Sequence, residues 1–576
     1  MSKMSEIPPN LRAIIRKHAL LNAYKHEGKA DTSAVISKVL GEDPQLKQMV
    51  KTLIELVKEV VAEVNRMSVE EQFNILNSEY PELLLKETRV KFEGRILPPL
   101  PQAKKGEVVT RFPPEPNGYP HIGHAKAAII DETYARMYDG KFILRFDDTN
   151  PAKEKLEYYD AILDGLKWLG IKPDIIKNTS DDIELFYEYA ERLIKAGHCY
   201  VCTCEPIVIK RNRAEGRECA CRERAIEKNL ELWNRMFSTF KQNEAILRLK
   251  VDMKHVNTAL RDPTLFRIVE AEHPLKKDRY RVWPTYDFAV AIEDSLDGVT
   301  HAMRTKEYEL RDELYYLLLR LLNLRQPLLI EFSRLELEGT PVAKRFLKPL
   351  VDNRLVSGWD DPRMPTLVGL RRRGILPEAI REFILSLGVS KVESKPSWDI
   401  LESFNRKLLD PIAKRYFFVP NPVMLEVQDA PHLKVRLKHH PNLDLGYREI
   451  EAKDHFYISR DDLKNLKVGD RVRLMDLYNV KLIEKGEDSV IGSFAGSEII
   501  EGIPKVQWVT ERYIEFTVLI PGPLYIGDRF NEESLKVERG FAEEACSGLK
   551  VGEMIQFVRF GFCRIDAPSI AILTHK

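Results

Sequence analysis

What this sequence has little of narrows it first. Only seven of its 576 residues are cysteine, far too few for a disulfide-dense secreted scaffold. No stretch is long and apolar enough to span a bilayer. Met1 to Pro9 lack the apolar core of a secretory signal, so no membrane partner and a cytoplasmic location are expected. The formal net charge is only +1, so any surface for a polyanion has to be a local patch. Internal repeats and low-complexity tracts are missing. A chain of this length is expected to fold as several domains.

The few cysteines are not scattered. Five fall between Cys199 and Cys221, while Cys546 and Cys563 lie far away. Cys202-Thr203-Cys204 and Cys219-Ala220-Cys221 form two C-x-C elements across an intervening loop. In a reducing compartment such a cluster points to metal rather than disulfides. Four thiolates suit a closed tetrahedral Zn2+ site, structural because no position is left for water. Buried thiols beside a disordered basic loop are the alternative. Cys199 is expected in the core.

The most informative segment is His121-Ile122-Gly123-His124. Val108 to Phe112 is apolar and rich in strand formers, and the Pro/Gly/Asn cluster Pro113 to Pro120 ends it. Ala125 to Tyr138 has helical spacing at Ala127, Ile130, Tyr134 and Met137, and Lys141 to Phe146 reads as a second strand. Two imidazoles thus stand at a helix start, on the carboxyl side of a strand, where open α/β sheets bind nucleotides. They can donate to phosphoryl oxygens as charge builds. Gly123 would let a base or phosphate approach the backbone.

Arg111-Phe-Pro-Pro-Glu-Pro-Asn-Gly-Tyr-Pro-His-Ile-Gly-His124 resembles the nucleotide-binding signature of class I aminoacyl-tRNA synthetases, nearest to the glutamyl and glutaminyl branches. The resemblance implies a Rossmann-like α/β catalytic domain that uses ATP and Mg2+, with His121, Gly123 and His124 on the nucleotide. Phe332-Ser-Arg-Leu-Glu-Leu-Glu-Gly-Thr340, leading into Pro341-Val-Ala-Lys-Arg345, resembles the family's second signature loop. It implies that Lys344 neutralises the departing pyrophosphate and that Arg345 lies beside the nucleotide. Pro341 and Ala343 depart from that loop's usual lysine and serine.

Tyr280 to Val290, followed by Gly298-Val-Thr-His-Ala-Met-Arg304, resembles the glutamyl branch. There an arginine after the G-V-T-H run pairs with the substrate γ-carboxylate, and Arg304 holds that place. A guanidinium suits a carboxylate and leaves an amide poorly satisfied. A structural ion pair with Asp297 or Glu307 would account for Arg304 as well. Arg111 and Tyr286 match two further residues that reach the amino acid. In Arg145-Phe-Asp-Asp-Thr-Asn-Pro151, Asp147 matches the acid that receives the α-ammonium. Charge-assisted selection of this kind can work without editing, and the chain has no room for an editing domain.

The expected organisation is an N-terminal helical domain at 1–96, with Asp43 as N-cap, Pro44 at the first helical position and an apolar stripe from Leu46 and Met49 to Val64. The first half of the catalytic domain follows at 106–198, after a linker containing Leu97 to Pro101. An inserted acceptor-binding domain with the cysteines occupies 199–279, the second catalytic half 280–350, and a helical stem-contact region 351–415. Arg371, Arg372 and Arg373 of that region are either RNA contacts or a solvated face. Residues 416–576 alternate as short strands, including Arg471 to Met475, Tyr513 to Ile520 and Met554 to Ile565, which suggests C-terminal antiparallel β-barrels. That strand-rich tail resembles the anticodon-binding domain of archaeal and eukaryotic glutamyl enzymes. The implied partners are L-glutamate and tRNA(Glu), with tRNA(Gln) left open. A glutaminyl enzyme and a non-catalytic tRNA-binding relative are the alternatives; Arg304 speaks against the first, and His121, His124 and Lys344 against the second.

Overall fold

The computed structural model describes residues 11–25, 28–42, 46, 50–68, 71, 72, 75, 76, 97–393 and 395–576. The chain divides into two compact units, Met1–Ile96 and Leu97–Lys576. In the first, helices Leu11–Lys25, Thr32–Glu42 and Val50–Val64 pack through Ile15, Ala19, Val35, Val39, Leu53, Val57, Val60 and Val64. Buried Gln72 ties their connections together, donating through Nε2 to the carbonyls of Gly28 (3.0 Å) and Val64 (2.9 Å). Asp43, Pro44 and Met49 lie outside the described residues.

In the second unit, Val109–Phe112, Lys141–Phe146 and Ile175–Asn178 form a parallel sheet. Helices Ile122–Met137 and Leu156–Trp168 make the crossovers. A second parallel pair, His301–Thr305 and Leu328–Phe332, lies against the free side of Val109–Phe112. There the Thr300 N–H donates to the Val109 carbonyl at 2.9 Å. The chain therefore leaves Val109–Phe112 in one direction and returns to its other side much later. This switch of direction opens a crevice at the strands' carboxyl ends. Leu97 and Leu100, expected to belong to a linker, are buried in the core of this layer. The Leu100 N–H donates to the Tyr138 hydroxyl (2.9 Å), and the Tyr134 hydroxyl donates to the Pro98 carbonyl (2.9 Å). The proline-rich strap is thus part of the core of this α/β layer rather than a spacer.

The insertion is a four-stranded antiparallel sheet, Cys199–Cys202, Ile246–Leu249, Thr264–Ile268 and Val282–Pro284. Its last strand was expected in the second catalytic half. It pairs with Thr264–Ile268 because Trp283 is fully buried in the insertion's core. Helix Pro206–Glu215, not a disordered loop, separates the two C-x-C elements; Pro206 sits in its first turn and Gly216 caps it at φ +67°.

The C-terminal part comprises two seven-stranded, barrel-like sheets. They are mainly antiparallel, but the expectation of purely antiparallel barrels is corrected. Lys414–Tyr416 runs parallel to Met554–Phe557, Tyr513–Pro521 to Ile570–His575, Pro422–Gln428 to Ser489–Phe494, and Arg471–Leu474 to Lys505–Val506. Strands distant in sequence are brought side by side, which hairpin spacing cannot reveal. Met554 to Ile565 is likewise not one strand: Arg559 at φ +58° turns the chain between Met554–Phe557 and Gly561–Ala567. Arg372 pairs with Asp566 of that second strand (2.8 Å), and buried Arg373 with Glu402 (2.7 Å), so two of the three arginines hold the structure together. Arg371 alone of the three is exposed.

Gly140 limits the central strand pair. A Cβ there would lie 2.1 Å from the Val108 carbonyl oxygen, which accepts the Lys141 N–H at 2.8 Å and starts the Val109–Lys141 register. Gly140→Ala is expected to cost about 1–3 kcal/mol through this overpacking. It should lower the melting temperature seen by calorimetry; an unchanged transition would contradict the packing described.

Candidate active site

The crevice holds a cavity of about 530 Å³ lined by residues from both halves of the α/β layer, among them Arg111, Asn117, His121, His124, Asp147, Tyr286, Arg304, Arg334 and Lys344. The structure thus brings together most of the residues singled out in the sequence. Arg345 is the exception: it is exposed, lies over the Phe346 ring and does not line the cavity.

His121 is the N-cap of helix Ile122–Met137, in extended conformation. Its Nδ1 accepts the Gly123 N–H at 3.1 Å, and His124 Nδ1 accepts the His121 N–H at 3.2 Å. This is a capping box built from two imidazoles, whose ring centroids are 3.9 Å apart. With both Nδ1 atoms accepting, the proton of each neutral ring sits on Nε2. Burial, then His124 and Arg334, holds His121 well below the ordinary imidazole value; burial and Arg334 take His124 to about 4. Each ring is therefore a neutral N–H donor at pH 7. Gly123 lines the cavity and meets a further constraint from its own helix cap. A Cβ there would stand 2.9 Å from His121 Cε1 and 3.4 Å from the Leu335 carbonyl, so glycine makes room for the capping ring itself.

Lys344 begins helix Lys344–Asp352 and reaches back to donate to the Asn117 carbonyl, with its ammonium 5.5 Å from the Tyr158 ring centroid. Burial lowers its pKa. It has no carboxylate partner among the described residues, and the loop before His121 and the loop before Lys344 close on each other through it.

The three arginines differ in how fully they are engaged. Arg111 is buried and gives Nε and Nη2 to the two oxygens of Asp294 (2.9 and 3.0 Å) and Nη1 to the Met303 carbonyl (2.6 Å). Arg145, equally buried, donates to Asp147, Asp297 and Asp294 at 3.1, 2.9 and 2.9 Å. Burial alone would raise Asp294, but Arg111 and Arg145 outweigh it and hold the carboxyl below its ordinary value. Arg304 has one ion pair, Nη1 to Asp312 at 3.0 Å, rather than one with Asp297 or Glu307. Its guanidinium lies 4.8 Å from the Tyr315 ring centroid. Its Nε and Nη2 are buried and have no partner among the described residues. These two atoms form one edge of the fork, the edge that binds a carboxylate bidentately. Opposite in sign, Asp147 uses Oδ1 for Arg145 and Thr179, while its buried Oδ2 has no partner among the described residues.

Asp294, Asp312 and Tyr315 went unnoticed in the sequence. The available signal was the acidic pair Glu293-Asp294 directly after the apolar run Phe288 to Ile292, since buried acids of that kind imply buried cations.

The four cysteine sulfurs lie within 4.8 Å of one another, Cys202 Sγ to Cys219 Sγ at 3.9 Å and Cys204 Sγ to Cys221 Sγ at 3.8 Å. Four sulfurs about 2.3 Å from a tetrahedrally held zinc ion would stand about 3.8 Å apart, so the donor set fits that ion. Cys199 is buried in the insertion's core.

The chain matches the family described as tRNA synthetases class I (E and Q), catalytic domain, over residues 107–411. It matches two anti-codon binding domains of the same family over 413–495 and 505–566. A glutamate–tRNA ligase of Nitrosopumilus maritimus is 48% identical over 98% of this chain and 99% of its own. The corresponding protein of Cenarchaeum symbiosum is 46% identical over 97% and 98%, and that of Pyrococcus furiosus 43% over 97% and 99%.

Unfolded imidazole titrates near 6.5 and folded His124 near 4, so His124 lowers stability as pH falls from about 6.5 to 4 and has no such effect above. In an NMR titration its ring should stay neutral down to about pH 4. A midpoint near the ordinary value would contradict the burial described for the His124 ring.

Proposed function

This chain belongs to the class I tRNA synthetases of the glutamate and glutamine family, and from that premise we propose that it joins L-glutamate to the 3′ end of tRNA through a glutamyl-adenylate. One observation carries the choice of amino acid: a single cavity holds a vacant guanidinium edge on Arg304 and a vacant carboxylate oxygen on Asp147. An amino acid with a distal carboxylate complements both. Its γ-carboxylate takes Nε and Nη2 of Arg304, and its α-ammonium takes Oδ2 of Asp147. Glutamine would turn an amide NH2 toward guanidinium donors and leave them unsatisfied. Tyr286, packed on Tyr308 with ring centroids 5.2 Å apart, lines the same cavity.

The α-carboxylate oxygen attacks the α-phosphorus of ATP. A new P–O bond forms as the bond to the bridging oxygen breaks, and pyrophosphate leaves. The Nε2–H groups of His121 and His124 donate to phosphoryl oxygens, and Lys344 moves from the Asn117 carbonyl to the departing charge. The terminal ribose hydroxyl of tRNA then attacks the acyl carbon, and AMP leaves. Mg2+ accompanying ATP would supply further positive charge, and Glu115, which lines the cavity with a buried Oε1 lacking a partner among the described residues, would hold it. In the insertion, Cys202, Cys204, Cys219 and Cys221 would hold zinc as a cross-link between its first strand and the turn Ala220–Glu223.

ATP–pyrophosphate exchange tests the central assignment. Arg304→Ala should lower kcat/KM for glutamate by about 10²–10⁴, the loss of two charge-assisted hydrogen bonds, with the KM for ATP changed less than about threefold. Equal losses for glutamate and ATP would reduce Arg304 to a structural ion pair. Exchange with glutamine rather than glutamate by the unaltered enzyme would overturn the substrate.

Mass spectrometry of metals should find about one zinc per chain, lost together with thermal stability in Cys204→Ser/Cys221→Ser. Metal-free protein with unaltered melting would remove the ion from the account.

A further inference from the structure

The segment bearing Lys344 is held from an unexpected direction. Between strands Tyr513–Pro521 and Leu535–Glu543, the second C-terminal sheet extends a hairpin with a short ladder, Tyr525–Ile526 against Arg529–Phe530. This hairpin lies within the match to an anti-codon binding domain, yet it reaches the catalytic loop. The Tyr525 N–H donates to the Gly339 carbonyl at 3.0 Å, and the Tyr525 hydroxyl donates to the Phe346 carbonyl at 3.1 Å. One tyrosine thus pins both ends of segment 339–346. Its neighbour Leu524 is fully buried among Leu347 and Leu350, from the apolar face of the helix that Lys344 begins, and Val356 and Met364, which follow that helix.

Three further details make this a fitted contact. Gly339 sits at φ +65°, where a Cβ would come within 2.9 Å of Pro523 Cβ and 3.1 Å of the Tyr525 carbonyl. The hairpin is closed at its base, with the Gly522 N–H on the Ser534 carbonyl (2.7 Å) and the Asn531 N–H on the Leu524 carbonyl (2.8 Å). Arg363, paired with Asp361, donates to the buried Ser534 hydroxyl at 2.9 Å, which anchors that base to the turn before helix Leu367–Arg373. On its cavity side, by contrast, the segment has the Lys344 bond to Asn117, which substrate must displace.

We propose that Leu524 and Tyr525 are positioning residues for Lys344, so that the C-terminal β-domain takes part in amino-acid activation from outside the catalytic domain. The proposal rests on the reading of Lys344 as the cation facing pyrophosphate. A lysine on a loop needs its backbone fixed within about 0.5 Å to meet a transferring phosphoryl group, and misplacement by 1 Å can cost 10²-fold. The hairpin supplies that fixation from behind, leaving the ammonium free to move.

The test is ATP–pyrophosphate exchange by the full-length enzyme with glutamate and saturating tRNA, beside tRNA binding and thermal melting. Leu524→Ala is expected to lower kcat about 10-fold or more and Tyr525→Phe about 3-fold. The KM for glutamate and the Kd for tRNA should change less than about twofold, and Leu524→Met should restore most of kcat. Lys344→Ala separates the two levels of the argument. If Lys344→Ala retains normal exchange, the role given to the lysine fails. If Lys344→Ala is inactive while Leu524→Ala and Tyr525→Phe keep the kcat of the unaltered enzyme, the lysine stands and the hairpin's role is refuted. A fall in kcat matched by equal losses of tRNA affinity and melting temperature also refutes it, because the contact is then structural only.

Discussion

Everything at this site depends on the buried carboxylate of Asp294. It is shared by Arg111, on the first strand of the α/β layer, and Arg145, on the second, and also accepts the Tyr315 hydroxyl at 3.1 Å. Asp294 itself comes from helix Tyr286–Leu296, in the later half of the layer. One acid therefore joins the two halves where the crevice opens. Breaking such a buried pair by removing one partner costs about 3–5 kcal/mol, because the remaining charges have no water to turn to.

The same arrangement decides which cation remains for a ligand. Arg111 and Arg145 spend their donors on Asp294, Asp297, Asp147 and the Met303 carbonyl. Arg304 is held by Asp312 on one nitrogen and keeps an edge without a partner among the described residues. Under the proposed reading, that unpaired Arg304 edge is the carboxylate receptor of the cavity, and selectivity for glutamate over glutamine would follow from this division of labour. Arg111, expected from family resemblance to reach the amino acid, acts in the absence of ligand mainly as the strut that fixes this geometry. In the proposed reading the nucleotide side works through neutral donors instead. His121 and His124 carry no charge at pH 7 and are oriented by capping their own helix, so the mobile charge on that side is assigned to Lys344 in that reading.

Much of this was legible in the sequence where local rules act alone. The strand Lys141–Phe146, the helix after His121 and the cysteine pairs are set by short-range periodicity and spacing, and they were readable. The vacant edge of Arg304 was not, because it depends on Asp312 and Tyr315, residues close in sequence whose side chains are aimed by the fold. The parallel strand pairs of the C-terminal sheets escaped for a related reason: Lys414–Tyr416 finds Met554–Phe557 across most of the domain, and no local pattern encodes that register. Leu97 to Pro101 looked like a spacer because proline-rich composition is shared by linkers and by straps that pack on a core. At Gly123 the sequence did not reveal that the His121 ring also crowds the position, because that contact depends on the rotamer of the capping side chain.

A crystal structure of the protein with L-glutamate alone would test the central claim most directly. The account predicts the γ-carboxylate on Nε and Nη2 of Arg304, the α-ammonium on Oδ2 of Asp147, and the Arg111–Asp294–Arg145 pairs unbroken. A substrate carboxylate bound instead by Arg111, with its pair to Asp294 opened and the Arg304 edge still vacant, would contradict it.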